Sequence, residues 1–314
     1  MTPEHDKNVF NELAPLTTEG RNPRSTLLDT LSIPQILELI NAEDRTVADV
    51  VRGELPHIAH AVERVVAALQ SGGRLIYVGA GTSGRLGMID AAECPPTFGS
   101  DPSRVIGIMA GGEGALVRAV EGAEDRADAG AQSIRDAQVG ATDVVCGIAA
   151  SRRTPFVVAA LAEARSRGAG TVLLTMNPRE SLDFPVDVAI CPVVGPEVLM
   201  GSTRMKAAVA QKMVLTMITT AAFVRLGTTY ENMMVDLMAN SAKLRERGKR
   251  VVMTVTGVDY DEAARVLDAA GGSVKTAIVM VLAAADAATA SRILKESGGF
   301  VRTAIERIRK GTEA

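Results

Sequence analysis

The residues best suited to chemistry lie in the stretch RLIYVGAGTSGRLGMIDAAECPP, which begins at residue 74. Its apolar run Leu75–Val78 predicts a buried strand, and the turn that follows, with Gly81 and Gly84, leads into an apolar-periodic helix. Such a turn points backbone N–H groups and the positive end of the helix dipole at an anion. The hydroxyls of Thr82 and Ser83 suit the three oxygens of a phosphomonoester better than a pyrophosphate bound by backbone alone.

A carboxylate, Glu93, follows on the same predicted helix. We expect this helix to stop at Pro95-Pro96, because proline supplies no N–H and disfavours helix in the residue before it. Glu93 would then lie at the C-terminal end of the helix, where the dipole favours the protonated form that a general acid needs. An ordinary solvated carboxylate is the alternative.

A second loop, after the apolar run DVVCGIAA, carries Ser151, Arg153 and Thr154 and leads into a helix that starts with Pro155. Proline is favourable there, because its missing N–H needs no partner in the first turn. Two hydroxyl-bearing loops after strands predict a shared site for a sugar phosphate, and two ordinary N-capped loops are the alternative. The GxGxxG spacing, with Glu113 near the end of the second strand, leaves a dinucleotide site as a weaker option.

A third loop, GPEVLMGSTRMK, offers Ser202, Thr203, Arg204 and Lys206 just before a long apolar helix. Arg204 and Lys206 could neutralise a phosphate or a carboxylate there. Salt bridges from them to the acid-rich segment 121–128 are an equally good interpretation. All three histidines precede the strands and lack further ligands, so we expect neither a bound metal nor a cofactor.

The composition excludes several classes of protein. A net charge of −3 and an isoelectric point near 5.8 give no general attraction to nucleic acid or to an anionic membrane. Three cysteines without metal-ligand or CxxC spacing favour a reducing, cytoplasmic location. The most apolar long segment, 207–226, contains Lys212 and several threonines, which favours a buried helix over a membrane span.

Strand-like and helical segments alternate along residues 75–226. Apolar runs at 104–109, 143–149, 171–176 and 186–194 predict strands, and stretches at 115–138, 155–167 and 203–226 predict helices. This alternation predicts an α/β fold whose parallel sheet is covered on both faces and binds ligands beyond the carboxyl ends of its strands. From about residue 232 only helices are predicted. ARVLDAAGGSVKTAI there matches SRILKESGGFVRTAI at an offset of 27, which predicts two helix–Gly-Gly–helix repeats with an Asp N-cap each.

Four motifs resemble those of the N-acetylmuramic acid 6-phosphate etherases: GAGTSGRLG at 79–87, AAECPPTFG at 91–99, VEGAED at 120–125 and GSTRMKAA at 201–208. The resemblance extends from TEGRNPRS at 18–25 to GGFVRTAIE at 298–306 and so covers nearly the whole chain. It implies a sugar isomerase (SIS) three-layer α/β fold with a five-stranded parallel sheet at 46–230. An N-terminal arm and helix would occupy 1–45, and a small all-helical, UBA-like subdomain 231–314.

The resemblance also implies an activity, the cleavage of the D-lactyl ether of the sugar. The two acting glutamates of the family fall on Glu93 as acid and Glu124 as base. The substrate would contact Gly81, Thr82, Ser83, Gly84, Glu113, Ser151, Arg153, Thr154, Ser202 and Arg204. In one departure, Arg152 stands where the family has glycine, and a positive φ there would strain the chain.

The spacing between Ser83 and Glu93 predicts a homodimer. Ten residues of regular helix span roughly 15 Å, which is longer than the distance from C6 phosphate to C2 or C3 of one sugar. Either the helix ends early, or Glu93 acts on a sugar held by the neighbouring subunit, which we favour. A non-catalytic sugar-phosphate sensor of the SIS fold is the main alternative to an enzyme.

Overall fold

The computed structural model describes residues 16–237 and 242–312, and the chain divides into two compact units. The first unit comprises Met1–Ala92 and Ser103–Thr219, and the second comprises Glu93–Pro102 and Thr220–Ala314. The domain bounds proposed from the sequence, at 45/46 and 230/231, remain a prediction.

A five-stranded parallel sheet with the strand order β2-β1-β3-β4-β5 forms the centre of the first unit. Its strands are β1 (Leu75–Gly79), β2 (Val105–Met109), β3 (Val144–Ile148), β4 (Gly170–Leu174) and β5 (Val188–Ile190). The register pairs Gly79 with both Met109 and Ile148, so the C-terminal ends of β2, β1 and β3 lie side by side. All five predicted strands and the predicted parallel sheet are confirmed.

Eight helices accompany the sheet strands along the described chain as far as residue 225. They are α1 (Ile33–Asp44), α2 (Val47–Gly53), α3 (Leu55–Gln70), α4 (Gly81–Phe98), α5 (Gly114–Val117), α6 (Ala127–Asp136), α7 (Pro155–Ser166) and α8 (Lys206–Arg225). Aliphatic side chains fill the core between sheet and helices, and Ile76, Val145 and Leu161 are each at most 1% exposed. A core of this kind suits a sequence with no tryptophan.

The predicted end of α4 at Pro95-Pro96 is wrong, because the helix continues through both prolines to Phe98. The prolines remove two N–H donors, yet the last turn is held by packing within the second unit. Phe98 is buried and stacks on Phe223 with 4.6 Å between ring centroids. Such an aromatic contact offsets part of the cost of proline inside a helix. Glu93 therefore lies inside α4 and not at its C-terminal end.

The helix predicted over 115–138 is also wrong in its first half. The chain forms the four-residue helix α5, then an irregular stretch with a single 3₁₀ turn at Ala123–Asp125, and only then α6. Gly122 adopts a left-handed φ of 73° immediately before that turn, which no continuous helix permits. Glu124 consequently lies on a loop.

The second unit confirms the predicted helical repeat. Its elements are the short hairpin strands β6 (Thr229–Tyr230) and β7 (Met233–Met234), then α9 (Ala242–Thr256), α10 (Tyr260–Ala269), α11 (Val274–Leu282), α12 (Ala287–Glu296) and α13 (Val301–Thr312). Asp259 and Asp286 cap the first helix of each copy by accepting a hydrogen bond from the backbone N–H of Glu262 and Thr289. Both Gly-Gly connections show paired positive φ angles near 62° and 83°.

A buried ion pair joins the N-terminal arm to the start of α8. The Lys206 ammonium lies 2.6 Å from the Glu43 carboxylate, and both side chains are less than 10% exposed. Arg24 and Asn22 also donate to Glu43. The predicted salt bridge from Lys206 to the 121–128 segment is therefore wrong, because the Lys206 ammonium is paired with Glu43.

Helix α8 is long and apolar enough to cross a membrane by length and composition alone. However, 56% of its apolar window is buried inside the structure, as expected for a core helix. The bent pair α11 and α12 would meet the same criteria if it were counted as one span, but it turns by 108° at the break.

We expect Glu43→Gln to destabilise the protein by about 3 kcal/mol, because it leaves the buried Lys206 ammonium without a counter-charge. Burial alone would raise the pKa of Glu43, but the bonds from Lys206, Asn22 and Arg24 lower it overall. The wild-type carboxylate therefore stabilises the fold above its unfolded pKa, and this contribution disappears as the pH falls through the lower folded pKa.

Urea unfolding between pH 3 and 7 measures both effects, and Glu43→Gln should flatten the acid limb of the stability curve. The double variant Glu43→Gln/Lys206→Met should lose less than the sum of the single variants, since neither buried charge remains. Strictly additive losses would contradict a coupled pair.

Candidate active site

The turn between β1 and α4 has the geometry expected of an anion cradle, and we call it the cradle below. Gly79 and Gly84 approach so closely that a Cβ on either would lie 2.7 Å from the backbone of the other, so only glycine fits at both positions. Because α4 begins at Gly81, the N–H groups of its first residues have no partner within the helix. The half-buried Thr82 and Ser83 side chains belong to the same first turn.

Two more of the predicted loops flank this turn because of the strand order. Glu113 lies in the loop after β2, and Ser151 and Thr154 lie in the loop after β3, on either side of β1. Thr154 is the N-cap residue of α7 but makes no side-chain cap hydrogen bond. Its hydroxyl is therefore not used by the helix that it starts.

A cavity of about 360 Å³ opens beside the cradle. Gly81 and Glu124 both line it, so the structure brings the phosphate turn and one proposed catalytic carboxylate to the same depression. Glu113 lines an adjoining cavity of about 770 Å³. The remaining predicted site residues line neither cavity: Thr82, Ser83, Gly84, Glu93, Ser151, Arg153, Thr154, Ser202 and Arg204.

Arg85 also lines the smaller cavity and was missed in the sequence. Its guanidinium donates to the carbonyls of Ala115 (2.7 Å) and Leu116 (3.0 Å), and so fastens α5 against the first turns of α4. The sequence held one signal for Arg85, which is a cation placed one residue after Gly84, the last glycine of the turn. Its binding to backbone carbonyls could not be read from the sequence.

Glu93 is exposed on α4, ten residues after Ser83. The helix is continuous from Gly81 to Phe98 and so does not end between them. The alternative in which an early helix end brings Glu93 back towards its own cradle is therefore excluded. Within the described ranges, no group of three or more His, Cys, Asp or Glu side chains could hold a metal ion.

Asp90 anchors α4 one turn before Glu93. Its buried carboxylate accepts a hydrogen bond of 3.0 Å from the Tyr77 hydroxyl at the centre of β1. Burial raises the pKa of Asp90, and hydrogen bonds from Tyr77, Thr219 and Thr216 oppose the rise. This polar contact fixes the helix to the sheet and to α8.

The third loop is held by a buried carboxylate. Glu197 is 1% exposed and accepts hydrogen bonds from the backbone N–H groups of Lys206 (3.0 Å) and Ala207 (2.9 Å) at the start of α8. Burial raises the pKa of Glu197 despite these bonds. Ser202 is half-buried and Arg204 exposed in the loop that Glu197 fixes.

The strain anticipated at Arg152 is present, since its φ is +63°. The Arg152 guanidinium lies 3.4 Å from Asp183, and its side chain is only 17% exposed. The second loop therefore keeps a left-handed turn while carrying a bulky side chain that a glycine would lack.

Asn177 is a second residue whose role was not predicted from the sequence. The Ala150 carbonyl, just before Ser151, accepts hydrogen bonds from Asn177 Nδ2 (2.8 Å), Met176 N (3.1 Å) and Thr175 Oγ1 (3.2 Å). The Asn177 Oδ1 atom accepts from the backbone N–H and the hydroxyl of Thr17. One buried amide thus fastens the second loop and the N-terminal arm together.

Relatives are similar to this chain over most of its length. A protein from Salinibacter ruber named N-acetylmuramic acid 6-phosphate etherase is 62% identical over 86% of this chain and 88% of its own. One of the same name from Symbiobacterium thermophilum is 56% identical over 85% of this chain and 89% of its own.

Two further similarities are more limited. Residues 57–165 match the model of the glucokinase regulatory protein N-terminal SIS domain. Among solved structures, a phosphoheptose isomerase from Francisella tularensis aligns with a TM-score of 0.43 at 16% identity, over 60% of this chain and 98% of that one. The structural similarity to the isomerase is too low to support any argument about this chain.

The variants Arg152→Gly and Arg152→Ala distinguish the effect of backbone strain on stability from the effect of losing the Arg152 charge. Both remove the ion pair to Asp183, but only glycine relieves the positive φ, so the Gly variant should be about 1 kcal/mol more stable than the Ala variant. Thermal unfolding of the two proteins measures the difference. Equal stability would show that the left-handed turn carries no strain.

Asn177→Asp keeps the acceptor for Thr17 and removes the donor to Ala150. We expect it to weaken the binding of a sugar phosphate about tenfold, since the second loop loses a buried hydrogen bond worth about 1–1.5 kcal/mol. Titration with N-acetylglucosamine 6-phosphate measures this, with Thr17→Val as the control that cuts only the bonds from the Thr17 hydroxyl. Unchanged affinity in Asn177→Asp would contradict a role in positioning the loop.

Proposed function

This chain belongs to the N-acetylmuramic acid 6-phosphate etherase family, and we propose that it cleaves the D-lactyl ether of that sugar phosphate, giving N-acetylglucosamine 6-phosphate and D-lactate. The observation that carries this is the 62% identity to an etherase across 86% of the chain. The reaction makes the protein a carbon–oxygen lyase that acts in the recycling of peptidoglycan sugars.

We infer that two carboxylates perform the chemistry. In the open-chain sugar the C1 aldehyde acidifies the C2 proton, which the Glu124 carboxylate removes. The C3–O bond then breaks as Glu93 donates a proton to the ether oxygen. D-Lactate departs, and an unsaturated aldehyde remains. Water adds at C3, deprotonated by the Glu93 carboxylate, while protonated Glu124 returns its proton to C2. Each glutamate regains its starting protonation state, so no cofactor is required by this sequence of steps.

The phosphate is proposed to bind at the start of α4. The exposed N–H groups after Gly81 and the hydroxyls of Thr82 and Ser83 supply donors from one loop. Ser151 and Thr154 supply them from the loop after the adjacent strand. Oriented N–H groups at a helix start are well suited to a phosphate dianion. Arg153, Ser202 and Arg204 are proposed as outer contacts of the substrate.

The length of α4 supports our proposal of a homodimer with shared sites. About 15 Å of helix separates Ser83 from Glu93, so we propose that Glu93 acts on the sugar held by the partner subunit. The first unit also exposes apolar side chains that a partner could cover, which are Leu27, Ile33, Leu37, Leu199 and Met200. Cys94, Cys146 and Cys191 are all buried, which suits the cytoplasmic location that we propose.

A non-catalytic sugar-phosphate sensor is the second candidate, because residues 57–165 match a regulatory SIS domain. The relatives named as etherases match far more of the chain. Glu93 and Glu124 in their motifs also favour the enzyme.

Release of D-lactate from N-acetylmuramic acid 6-phosphate tests the activity and the two roles. Glu93→Gln and Glu124→Gln should each lower kcat by about 10²–10⁴-fold, while the neighbouring exposed Asp125→Asn should stay near wild type. In D₂O, Glu93→Gln should still exchange the C2 proton of the substrate and Glu124→Gln should not. Tight binding of the sugar phosphate by the wild type without lactate release would instead identify a sensor.

Mixed dimers test the sharing of sites. Glu93→Ala chains keep an intact cradle, and Ser83→Asp chains keep Glu93 but repel the phosphate. If Glu93 acts across the interface, each mixed dimer regains one of its two sites, so an equimolar mixture should recover about a quarter of wild-type activity. A mixture as inactive as its two components would show that each chain works alone.

A further inference from the structure

The two cavities beside the cradle adjoin each other, and we refer to them together as the depression. The smaller holds Gly81 and Glu124, and the larger holds Glu113 and Arg126. They share a wall made of Met109 and residues 120–123. The larger cavity is therefore the space next to the one that Glu124 lines.

Charge in this depression is unfavourable for an anionic substituent. Three carboxylates line it, those of Glu113, Glu121 and Glu124, against the cations Arg85 and Arg126. Arg85 already donates to two backbone carbonyls and is fixed at the wall by them. Arg126 lines the larger cavity and is the cation there that makes no bond to the backbone among those described, which leaves it able to meet a second negative group of a ligand.

The present partner of Arg126 is exchangeable. Its guanidinium donates to Asp128 at 3.2 Å, and the two side chains are 66% and 76% exposed. An exposed pair of this kind contributes little stability, so a ligand carboxylate can replace Asp128 at small cost. A guanidinium also binds a carboxylate through two parallel N–H···O bonds.

We propose that Arg126 binds the carboxylate of the lactyl group and thereby distinguishes the etherase substrate from its sugar product. This rests on the proposed function, in which Glu124 removes the proton on C2, next to the carbon that carries the lactyl ether. Arg126 follows Glu124 by two residues, on the loop that leads into α6. The carboxylate oxygens of the lactyl group are three bonds from the ether oxygen, so they can reach an arginine near Glu124.

The test compares the lactyl substrate with a ligand that lacks its carboxylate. Arg126→Gln should raise KM for N-acetylmuramic acid 6-phosphate about tenfold or more, the loss expected for one hydrogen bond to a charged group. The inhibition constant of N-acetylglucosamine 6-phosphate should stay unchanged, because the phosphate and sugar contacts remain. Asp128→Asn should lower KM, since it removes the group that competes for Arg126, and Arg118→Gln, an exposed arginine outside both cavities, should change neither constant.

Equal changes of KM and of the inhibition constant in Arg126→Gln, or no change in either, would overturn the proposal. An unchanged inhibition constant also shows that the variant is folded. Failure of the proposed function itself would be seen separately, as a wild-type protein that releases no D-lactate.

Discussion

Helix α4 imposes the constraint on which the site depends. It carries the phosphate cradle in its first turn and Glu93 three turns later, and it is continuous between them. A continuous helix holds its residues at fixed distances, and this length is the reason for our proposal that a second copy of the chain supplies Glu93 to the site.

Buried polar contacts hold this helix and its neighbouring loops. Asp90 binds Tyr77 at the centre of β1, and Arg85 ties α5 to the first turns of α4. Asn177 in turn fastens the loop after β3. Each of these groups makes hydrogen bonds inside the protein, where an unmet polar group would be costly. Such contacts favour a site that is formed before a ligand binds.

The sequence alone was enough to predict the sheet and the repeat. Apolar runs of β-branched residues are a local signal, and so are the Asp caps and Gly-Gly connections at 259–274 and 286–301. The continuation of α4 through Pro95 could not be predicted, because Phe98 offsets the proline by stacking on a residue 125 positions later in the chain. Lys206 was misjudged for the same reason, since its partner Glu43 lies on α1.

The residues of the site likewise fall into two groups: those predicted from their local sequence and those whose role depends on distant parts of the chain. The glycines and hydroxyls of the cradle follow from local chemistry, and the positive φ at Arg152 was foreseen from a missing glycine. Arg85, Asn177 and Arg126 each gain their role from a loop or strand that the sequence does not place beside them. The charges that line the two cavities matter as well. Three carboxylates outnumber two arginines there, so the net charge would repel a substrate with two anionic groups. The proposed arrangement separates the two anions, with the phosphate at the start of α4 and the lactyl carboxylate on Arg126.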